Sequence, residues 1–484
     1  MRRPLPSPLP RRRLLALGIG TAGAALSWPA LRRTAAALQQ PDASAADAFF
    51  EPAVRASRDG RLATSLEARL GPVEVAGRTV QSTVYEGTFP GPTLRIRPGD
   101  RLQVTLLNAL DAPTNLHTHG FHVSPSGSSD NVLLQIDPGG RFVYDYAIPA
   151  DHPPGFYWYH PHFHGVSAEQ VFGGMAGAVI IEGALDRLPG VAGLRERLLV
   201  LQATKHEADG AVTPPSNHRF QQQFQRLVNG RLDQEIPTRP GETQRWRILN
   251  ASTNVFFRLR LDGHLLHHIA EDGNTLGERW SREEILLGPA ERCEVLVQAG
   301  APGSYSLRSL PFDGGFGVQP ETVLATMTVA GAAQAPQPLP TRLLPFLDLR
   351  SVPIDHRRTV TLQSLPLDRN APEIPMATFM INSRQFAADR VDQTMRLNTT
   401  EEWVVRNASD NWHPFHIHVN PFQVVAVNGR AVAPRSYQDT VPVPPLGEVV
   451  LRTQFLDFTG RFVFHCHILQ HEDGGMMSVV EVAR

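Results

Sequence analysis

Cysteine, lysine and long apolar runs are scarce in this chain. Of its 484 residues only Cys293 and Cys466 are cysteine, so a disulfide scaffold is excluded and at most one bridge is possible. Lys205 is the only lysine. Beyond the N-terminal segment, no apolar run approaches the roughly 20 residues of a membrane-spanning helix. With 42% hydrophobic residues, 39 Gly and 41 Pro, the composition is globular and turn-rich rather than disordered, collagenous or coiled-coil.

Acidic residues are missing from the N-terminal segment and in excess elsewhere. The formal net charge is -1, but residues 1–37 contain seven arginines and no acid. The remaining chain therefore has 39 basic against 47 acidic residues, a net charge of -8. This excess of negative charge argues against a nucleic-acid partner, because such partners are bound by positively charged surfaces.

The N-terminal segment resembles a twin-arginine export signal. Residues 11–13 are all arginine, a mildly apolar stretch interrupted by glycines follows, and the alanines at 35–37 form a candidate cleavage site. We therefore exclude residues 1–37 from the fold and expect export to the periplasm or the cell exterior. An uncleaved membrane anchor is the alternative. Twin-arginine systems carry folded proteins, which suits a chain that takes up its cofactor before export.

Three copies of one strand–turn–strand phrase recur along the chain. The phrase occupies residues 94–104, 236–246 and 395–405. The second strand of each copy leads to an asparagine: Asn108, Asn250 and Asn407. Each copy ends with a glycine that opens another alternating strand: Gly155, Gly303 and Gly460. Self-similarity at this spacing indicates three related modules.

The pattern between these phrases predicts an all-β fold. Short alternating runs bounded by Pro, Gly and Asn, with no long helical periodicity, are typical of β-sandwiches. We place module one at residues 55–186, module two at 187–335 and module three at 345–484. The Pro- and Ala-rich stretch 330–338 has the composition of a linker.

Histidine is the abundant residue. Of the 19 histidines, twelve fall within residues 117–122, 160–164, 413–418 and 465–471. A spacing of two on a strand places both imidazoles on one face of the sheet. Superposing the copies by their asparagines aligns His117 and His119 with His416 and His418, opposite Leu259 and Leu261 of module two. Superposing them by their glycines aligns His160 and His162 with His465 and His467, so modules one and three each offer four such histidines. Eight imidazoles suit a cluster of copper ions at the interface of modules one and three.

Cys466 follows a different pattern from its neighbours. It lies between two of these histidines and points to the opposite face of its strand, so it can bind another metal while remaining covalently joined to both. With His413, His471 and Met476 it supplies the His₂Cys set and weak axial thioether of a blue copper centre. A disulfide with Cys293 is the weaker alternative.

These motifs, in this order and on three repeats, resemble those of the multicopper oxidase family over essentially the whole chain after the signal. The resemblance implies three consecutive cupredoxin-like Greek-key domains of sandwich or barrel form, and four copper ions per chain. It implies a type 1 copper on His413, Cys466, His471 and Met476. It implies a type 2 copper on His117 and His416. The two type 3 coppers would take His119, His160 and His467, and His162, His418 and His465.

Reduction of dioxygen consumes protons, so a carboxylate is required near the cluster. Asp130, after the first motif, and Glu472, directly after His471, resemble the acidic residues that supply protons in the family. A turn aspartate and a solvated glutamate are the alternative interpretations.

The resemblance implies an enzyme that takes single electrons from a reductant at the type 1 copper and reduces dioxygen to two waters at the other three. We expect a monomeric, laccase-like oxidase of phenols and aromatic amines. One alternative is a metallo-oxidase for Cu(I), Fe(II) or Mn(II), although Met376 and Met380 are too few to form a Met-rich insertion. The other is a non-enzymatic copper-binding envelope protein, which would lack ligands at one site.

The remaining histidines and Cys293 are expected to be structural. His164 should lie beside the cluster without binding metal, and Cys293 should be a buried, inert thiol. The others are interpreted as hydrogen-bonding or core residues: His122, His152, His264, His267 and His268.

Overall fold

The computed structural model describes residues 49–212, 223–364 and 378–484. The predicted export signal, residues 1–37, and Met376 lie outside the described residues. The described residues belong to one compact unit, and their sheets group into three pairs along the chain.

Module one consists of two sheets around an apolar core. Its elements are β1 (Val54–Ala56), β2 (Arg61–Val75), β3 (Arg78–Tyr85), β4 (Thr93–Ile96), β5 (Arg101–Ala109), β6 (His117–His119), β7 (Arg141–Ala147), β8 (Gly155–His160), α1 (Ser167–Gly173) and β9 (Gly177–Ile181). The strand orders are β1-β4-β9-β8-β6 and β3-β2-β5-β7. Alternating side chains from both sheets fill the core between them.

Module two repeats this arrangement with longer sheets. Its strands are β10 (Arg195–Thr204), β11 (Gln225–Val228), β12 (Gln234–Thr238), β13 (Thr243–Asn250), β14 (Phe257–Leu261), β15 (Leu266–Glu271), β16 (Asn274–Arg282), β17 (Glu284–Leu287), β18 (Arg292–Gln298), β19 (Gly303–Leu310), β20 (Phe312–Asp313), β21 (Val318–Gln319) and β22 (Thr322–Val329). The main sheets have the orders β11-β10-β13-β18-β15-β16 and β12-β22-β19-β14-β17.

Module three follows the same plan. Its elements are β23 (His356–Ser364), β24 (Phe379–Ile381), β25 (Val391–Arg396), β26 (Thr399–Asn407), β27 (His413–Ile417), β28 (Phe422–Val427), β29 (Arg430–Ala431), β30 (Thr440–Val443), β31 (Glu448–Phe455), β32 (Gly460–Cys466), α2 (Leu469–Asp473) and β33 (Met477–Ala483). Its sheets have the orders β24-β23-β26-β31-β28-β29 and β25-β33-β32-β27-β30. Three two-sheet sandwiches confirm the predicted all-β class. Within the described part of the chain, neither helix is long and apolar enough to cross a bilayer.

The three repeated asparagines have one structural role. Each is buried and donates from its side-chain amide to two backbone carbonyls further along its own module. For Asn407 these acceptors are Asn411, at 2.7 Å, and Val443, at 3.2 Å. The amide therefore fixes the loop that leads into β27, the strand that carries His416.

The strand pairing corrects the predicted alignment of module two by one residue. His117 pairs with His160 across β6 and β8, and His416 pairs with His465 across β27 and β32. On β14 and β19 the corresponding outward pair is Arg260 with Arg308.

Leu259 and Leu261, which were predicted to occupy the metal positions, point inward to the core of module two. The loop between Asn250 and β14 is one residue longer than its counterpart in module three, and superposing the asparagines cannot detect that insertion. A shift of one residue exchanges the two faces of a strand.

Candidate metal centre

Eight buried histidines meet where modules one and three face each other. We call them the eight-histidine cluster, and each is at most 2% exposed: His117, His119, His160, His162, His416, His418, His465 and His467. His117 stacks on His418 with ring centroids 3.9 Å apart, and His119 stacks on His416 at 3.8 Å. This reciprocal stacking relates modules one and three by a pseudo-twofold axis.

The cluster nitrogens lie close enough to share metal ions. Nε2 of His465 is 3.1 Å from Nε2 of His162 and 3.3 Å from Nε2 of His418, so these three rings form one compact donor set. A second set joins His117 to His119 and His160, and a third joins His117 to His416 and His418. Imidazole nitrogens in overlapping sets fit several copper ions better than one. The division into type 2 and type 3 ligands stays a prediction.

Hydrogen bonds select which nitrogen of each ring faces the metal positions. Nδ1 of His117 lies 2.9 Å from the Asp130 carboxylate, and Nδ1 of His160 lies 2.9 Å from the Pro161 carbonyl. Nε2 of both rings has no hydrogen-bond partner among the described residues. An acceptor on one nitrogen fixes the tautomer and the orientation of the ring, which leaves the other lone pair for a metal.

Asp439, which the sequence patterns did not identify, orients two rings from different modules. Its backbone carbonyl lies 2.7 Å from Nδ1 of His416, and its carboxylate Oδ1 lies 2.9 Å from Nε2 of His119. The pseudo-twofold offered a signal, because Asp130 stands beside His117 as Asp439 stands beside His416. Asp439 is far from its histidines in sequence, so spacing alone did not reveal it.

Burial keeps the cluster imidazoles in the form that binds metal. It lowers the pKa of His117, His119 and His160 well below the ordinary value, and the neighbouring imidazoles lower it further. Burial also lowers the pKa of His162 to about 4, against the opposing effect of Glu472. A neutral imidazole retains the lone pair that coordination requires.

The predicted type 1 ligands meet inside module three. Nδ1 of His413 lies 3.3 Å from Sγ of Cys466, Nδ1 of His471 lies 3.6 Å from the same sulfur, and the two nitrogens are 3.1 Å apart. The Cys466 backbone N–H donates to the Met476 carbonyl at 3.1 Å, and both side chains belong to the buried core of the module. Burial raises the pKa of the Cys466 thiol, so a cation is needed to hold its thiolate. The donor set fits copper.

Both predicted proton-supplying residues lie against cluster histidines. Asp130 also accepts hydrogen bonds from the Thr118 backbone and hydroxyl, and burial raises its pKa to about 7. Glu472 is fully buried, with its carboxylate 3.1 Å from Nδ1 of His465 and 3.5 Å from Nδ1 of His162. Burial raises the pKa of Glu472. A solvated glutamate is therefore excluded as the interpretation of this residue.

Aromatic rings surround the outer side of the type 1 site. Phe379 of β24 stacks on His471 with centroids 4.1 Å apart, and Phe316, on the turn between β20 and β21, meets the edge of the same ring at 5.8 Å. Phe316 is half-buried, so part of its ring remains accessible to solvent. Module two therefore contributes a side chain to the edge of the type 1 site.

The remaining predicted structural residues lie outside these donor sets. His164 packs against Phe386 with ring centroids 4.6 Å apart. His152 accepts from the backbone N–H of His122 at 3.0 Å. Both cysteines are buried and unbridged, and Cys293 packs in the core of module two. Three histidines of module two make local hydrogen bonds: His264, His267 and His268.

The family follows from sequence profiles that match the three modules. Profiles described as multicopper oxidase match residues 67–186, 196–332 and 355–484. The chain therefore belongs to the multicopper oxidase family, an identity that the two buried donor sets support. It is an oxidoreductase that depends on copper and uses dioxygen, built from three cupredoxin-like domains.

Individual relatives match over most of their length. The chain is 27% identical over 437 residues to a multicopper oxidase of Staphylococcus aureus, covering 88% of this chain and 90% of the relative. It is also 27% identical over 468 residues to a laccase of Bacillus subtilis, covering 82% and 89% of the two chains. Among solved structures, a multicopper oxidase from Campylobacter jejuni, described as a metallo-oxidase, superposes with a TM-score of 0.78. That pair shares 27% identity over 90% of this chain and 96% of the other.

Proposed function

We propose that this chain is a laccase-like oxidase that takes electrons from phenols and aromatic amines at the type 1 site. The observation that carries the substrate class is the aromatic setting of His471, with Phe379 on its face and Phe316 at its edge. Aromatic rings stack favourably on other aromatic rings. A metal-ion substrate needs oxygen, nitrogen or sulfur donors instead.

In this proposal, one copper ion binds at the type 1 site and three bind in the eight-histidine cluster. Copper bound there supplies one-electron oxidation of the reductant and four-electron reduction of dioxygen to two waters. Cys466 stands between His465 and His467 in the chain, so single peptide links join the type 1 site to the cluster. His471 lies at the aromatic edge, where a reductant can approach.

The carboxylates define how protons reach the cluster in this proposal. Glu472 lies 3.1 Å from Nδ1 of His465 and Asp130 lies 2.9 Å from Nδ1 of His117, so each carboxylate accepts from the imidazole that it orients. Both groups are buried, and burial favours their protonated forms. Each can therefore take up and release a proton beside the eight-histidine cluster.

A metallo-oxidase for Cu(I), Fe(II) or Mn(II) is the second candidate. It is supported by the structural neighbour from Campylobacter jejuni, whose description names that activity. The non-enzymatic alternative requires an incomplete site, whereas ten of the twelve predicted copper ligands lie within buried donor sets. The other two are also buried: His467 lies 5.0 Å from His119 between ring centroids, and Met476 lies in the core beside Cys466.

Dioxygen uptake with two reductants separates these candidates. We expect the copper-loaded protein to show a higher kcat/KM for a dimethoxyphenol than for chelated Cu(I), with no peroxide released. Phe316→Ala should lower kcat/KM for the phenol and leave that for Cu(I) unchanged. Phe312→Ala is the matched control, since Phe312 lies on the same hairpin and packs on Phe256 and Trp412.

A preference of the parent protein for Cu(I) would reject the laccase-like proposal and support the metallo-oxidase. Absence of blue absorbance after copper loading would support the non-enzymatic alternative.

We also propose that the chain is exported through the twin-arginine route and works as a monomer outside the cytoplasm. The arginines at 11–13 and the alanines at 35–37 support export. Cell fractionation of the parent and of a variant with lysine at positions 12 and 13 tests the route. Retention of the variant alone in the cytoplasm is the expected result.

A further inference from the structure

Module two holds no cluster histidine, yet one of its side chains reaches the cluster. Arg292 begins β18 and its side chain is fully buried. Its Nη1 and Nη2 donate to the two carboxylate oxygens of Asp439, at 2.8 and 2.7 Å, and its Nε donates to the Phe156 carbonyl of module one at 3.2 Å. Two parallel bonds of this kind fix the carboxylate plane as well as its position.

The carboxylate held by Arg292 is the acceptor for His119. Oδ1 of Asp439 takes the hydrogen bond from Nε2 of His119, which leaves Nδ1 of that ring towards the cluster. Because both carboxylate oxygens are occupied by the guanidinium, Asp439 acts on the metal site through His119 and His416 and not as a ligand itself.

A carboxylate of module two holds the backbone around Asp439. Asp272 accepts from the Arg292 backbone at 3.0 Å, and its other oxygen accepts from the Thr440 and Asp439 backbones at 3.1 and 3.3 Å. Arg292 thus binds the side chain of Asp439, and Asp272 binds the backbone of the same segment, which follows His416 and His418 in the chain.

Gly120, which follows His119, packs directly against the ion pair of Arg292 and Asp439. A Cβ at Gly120 would lie 2.4 Å from Oδ2 of Asp439 and 2.6 Å from Nη2 of Arg292. The residue also has a φ of +85°, which disfavours any side chain. A glycine is therefore required directly after His119, where Arg292 binds Asp439.

We propose that Arg292 is a positioning residue through which module two holds the copper ligands of the other two modules in place. Loss of the guanidinium frees the Asp439 carboxylate, and His119 then loses the acceptor that sets its tautomer and ring angle. The inference rests on the proposed cluster of copper ions between modules one and three.

Arg292→Met tests this role against Arg247→Met. Arg247 is also buried in module two and pairs with Asp186, Glu196 and Glu294, none of which is hydrogen-bonded to a cluster histidine. Copper-loaded proteins would be titrated with a chelator while the type 2 electron paramagnetic resonance signal and the blue type 1 band are followed. We expect Arg292→Met to weaken copper retention in the cluster about 10–100-fold with the blue band retained, and Arg247→Met to leave both unchanged. Arg292→Lys keeps the positive charge but cannot make the two parallel hydrogen bonds. It should retain more cluster copper than Arg292→Met, with a type 2 signal shifted from that of the parent.

Unchanged retention and an unchanged type 2 signal in Arg292→Met would overturn the inference, as would equal weakening in Arg247→Met. If Arg292→Met does not fold, Gly120→Ala attacks the same contact from the other side. Its control is Gly127→Ala, which has a φ of +64° and nothing within 4 Å of the added Cβ. Selective loss of cluster copper in Gly120→Ala supports the inference, and equal behaviour of the two variants rejects it. A parent chain that binds no copper in the cluster would instead refute the proposed function.

Discussion

Modules one and three differ from module two at the same strand positions. His416 pairs with His465 in module three, buried against module one, whereas Arg260 pairs with Arg308 in module two. Arg260 is exposed, and Arg308 binds Asp262 at the surface, at 2.9 Å. The backbone is common to all three modules, so the copper site depends on which outward faces meet another module. Module two contributes support instead, through Arg292 and Phe316.

Changing the equivalent outward residues one at a time tests this difference between the modules most directly. His416→Ala removes a predicted ligand, so dioxygen uptake should fall by more than about 100-fold, beyond the usual effect of losing a hydrogen-bonding neighbour of a ligand. The blue band should remain, because His416 is outside the type 1 donor set. Arg260→Ala should leave uptake unchanged. Comparable uptake in parent and His416→Ala would remove this residue from the ligand set.

Asp130 beside the eight-histidine cluster and Asp262 on the surface of module two should also differ in their effects. Asp130→Asn keeps the size of the side chain but removes the charge beside His117, so we expect kcat for dioxygen reduction to fall about 10–100-fold. Asp262→Asn breaks an exposed ion pair with Arg308, which contributes little to stability and should not affect kcat. Oxygen-electrode rates across a range of pH test both variants. An unchanged rate and pH profile in Asp130→Asn would rule out its role in proton supply.

Residues on the inward face of β14 should affect stability and not copper binding. Leu259 is fully buried in the core of module two, so Leu259→Ala should lower the free energy of unfolding by about 2–5 kcal/mol through lost contacts and a cavity. Copper per folded chain should stay at the parent value. Denaturant unfolding and elemental analysis measure the two quantities, and loss of copper at unchanged stability would contradict the assignment of this face to the core.

A half-buried acid of module two gives the smallest expected effect. Glu271 lines a cavity of about 280 Å³ together with residues of module three, and burial and the neighbouring Asp272 raise its pKa from 4.5 to about 8. Because the folded chain favours the protonated acid, stability present below pH 4.5 is lost as pH rises towards 8.

Glu271→Gln should therefore flatten the fall in unfolding temperature between pH 5 and pH 8, by on the order of 2 °C. Calorimetry at several pH values measures this slope. A slope in the variant as steep as in the parent would assign the pH dependence to other groups.

The predicted class, the three repeats and the meeting of eight histidines could be obtained from sequence because each depends on local periodicity. Alternation in two determines the face of a strand, and the repeated Asn108, Asn250 and Asn407 mark equivalent loops. The alignment of module two was wrong by one residue because a single insertion before β14 leaves no trace in the pattern. The role of Arg292 was not predictable, because no spacing relates β18 to the segment after His418. Asp439 could be found only through its equivalence to Asp130, because it is far from its histidines in the sequence.

The residues that can bind copper are recognisable in the sequence: paired imidazoles two apart, and a cysteine on the opposite face of the same strand. How those residues are held depends on the packing of the three modules. Ring orientation depends on acceptors such as Asp130 and Asp439, and the position of Asp439 depends on a guanidinium from another module. Alternation along a strand is a local property of backbone geometry, whereas a hydrogen bond between modules exists only after the sandwiches have packed.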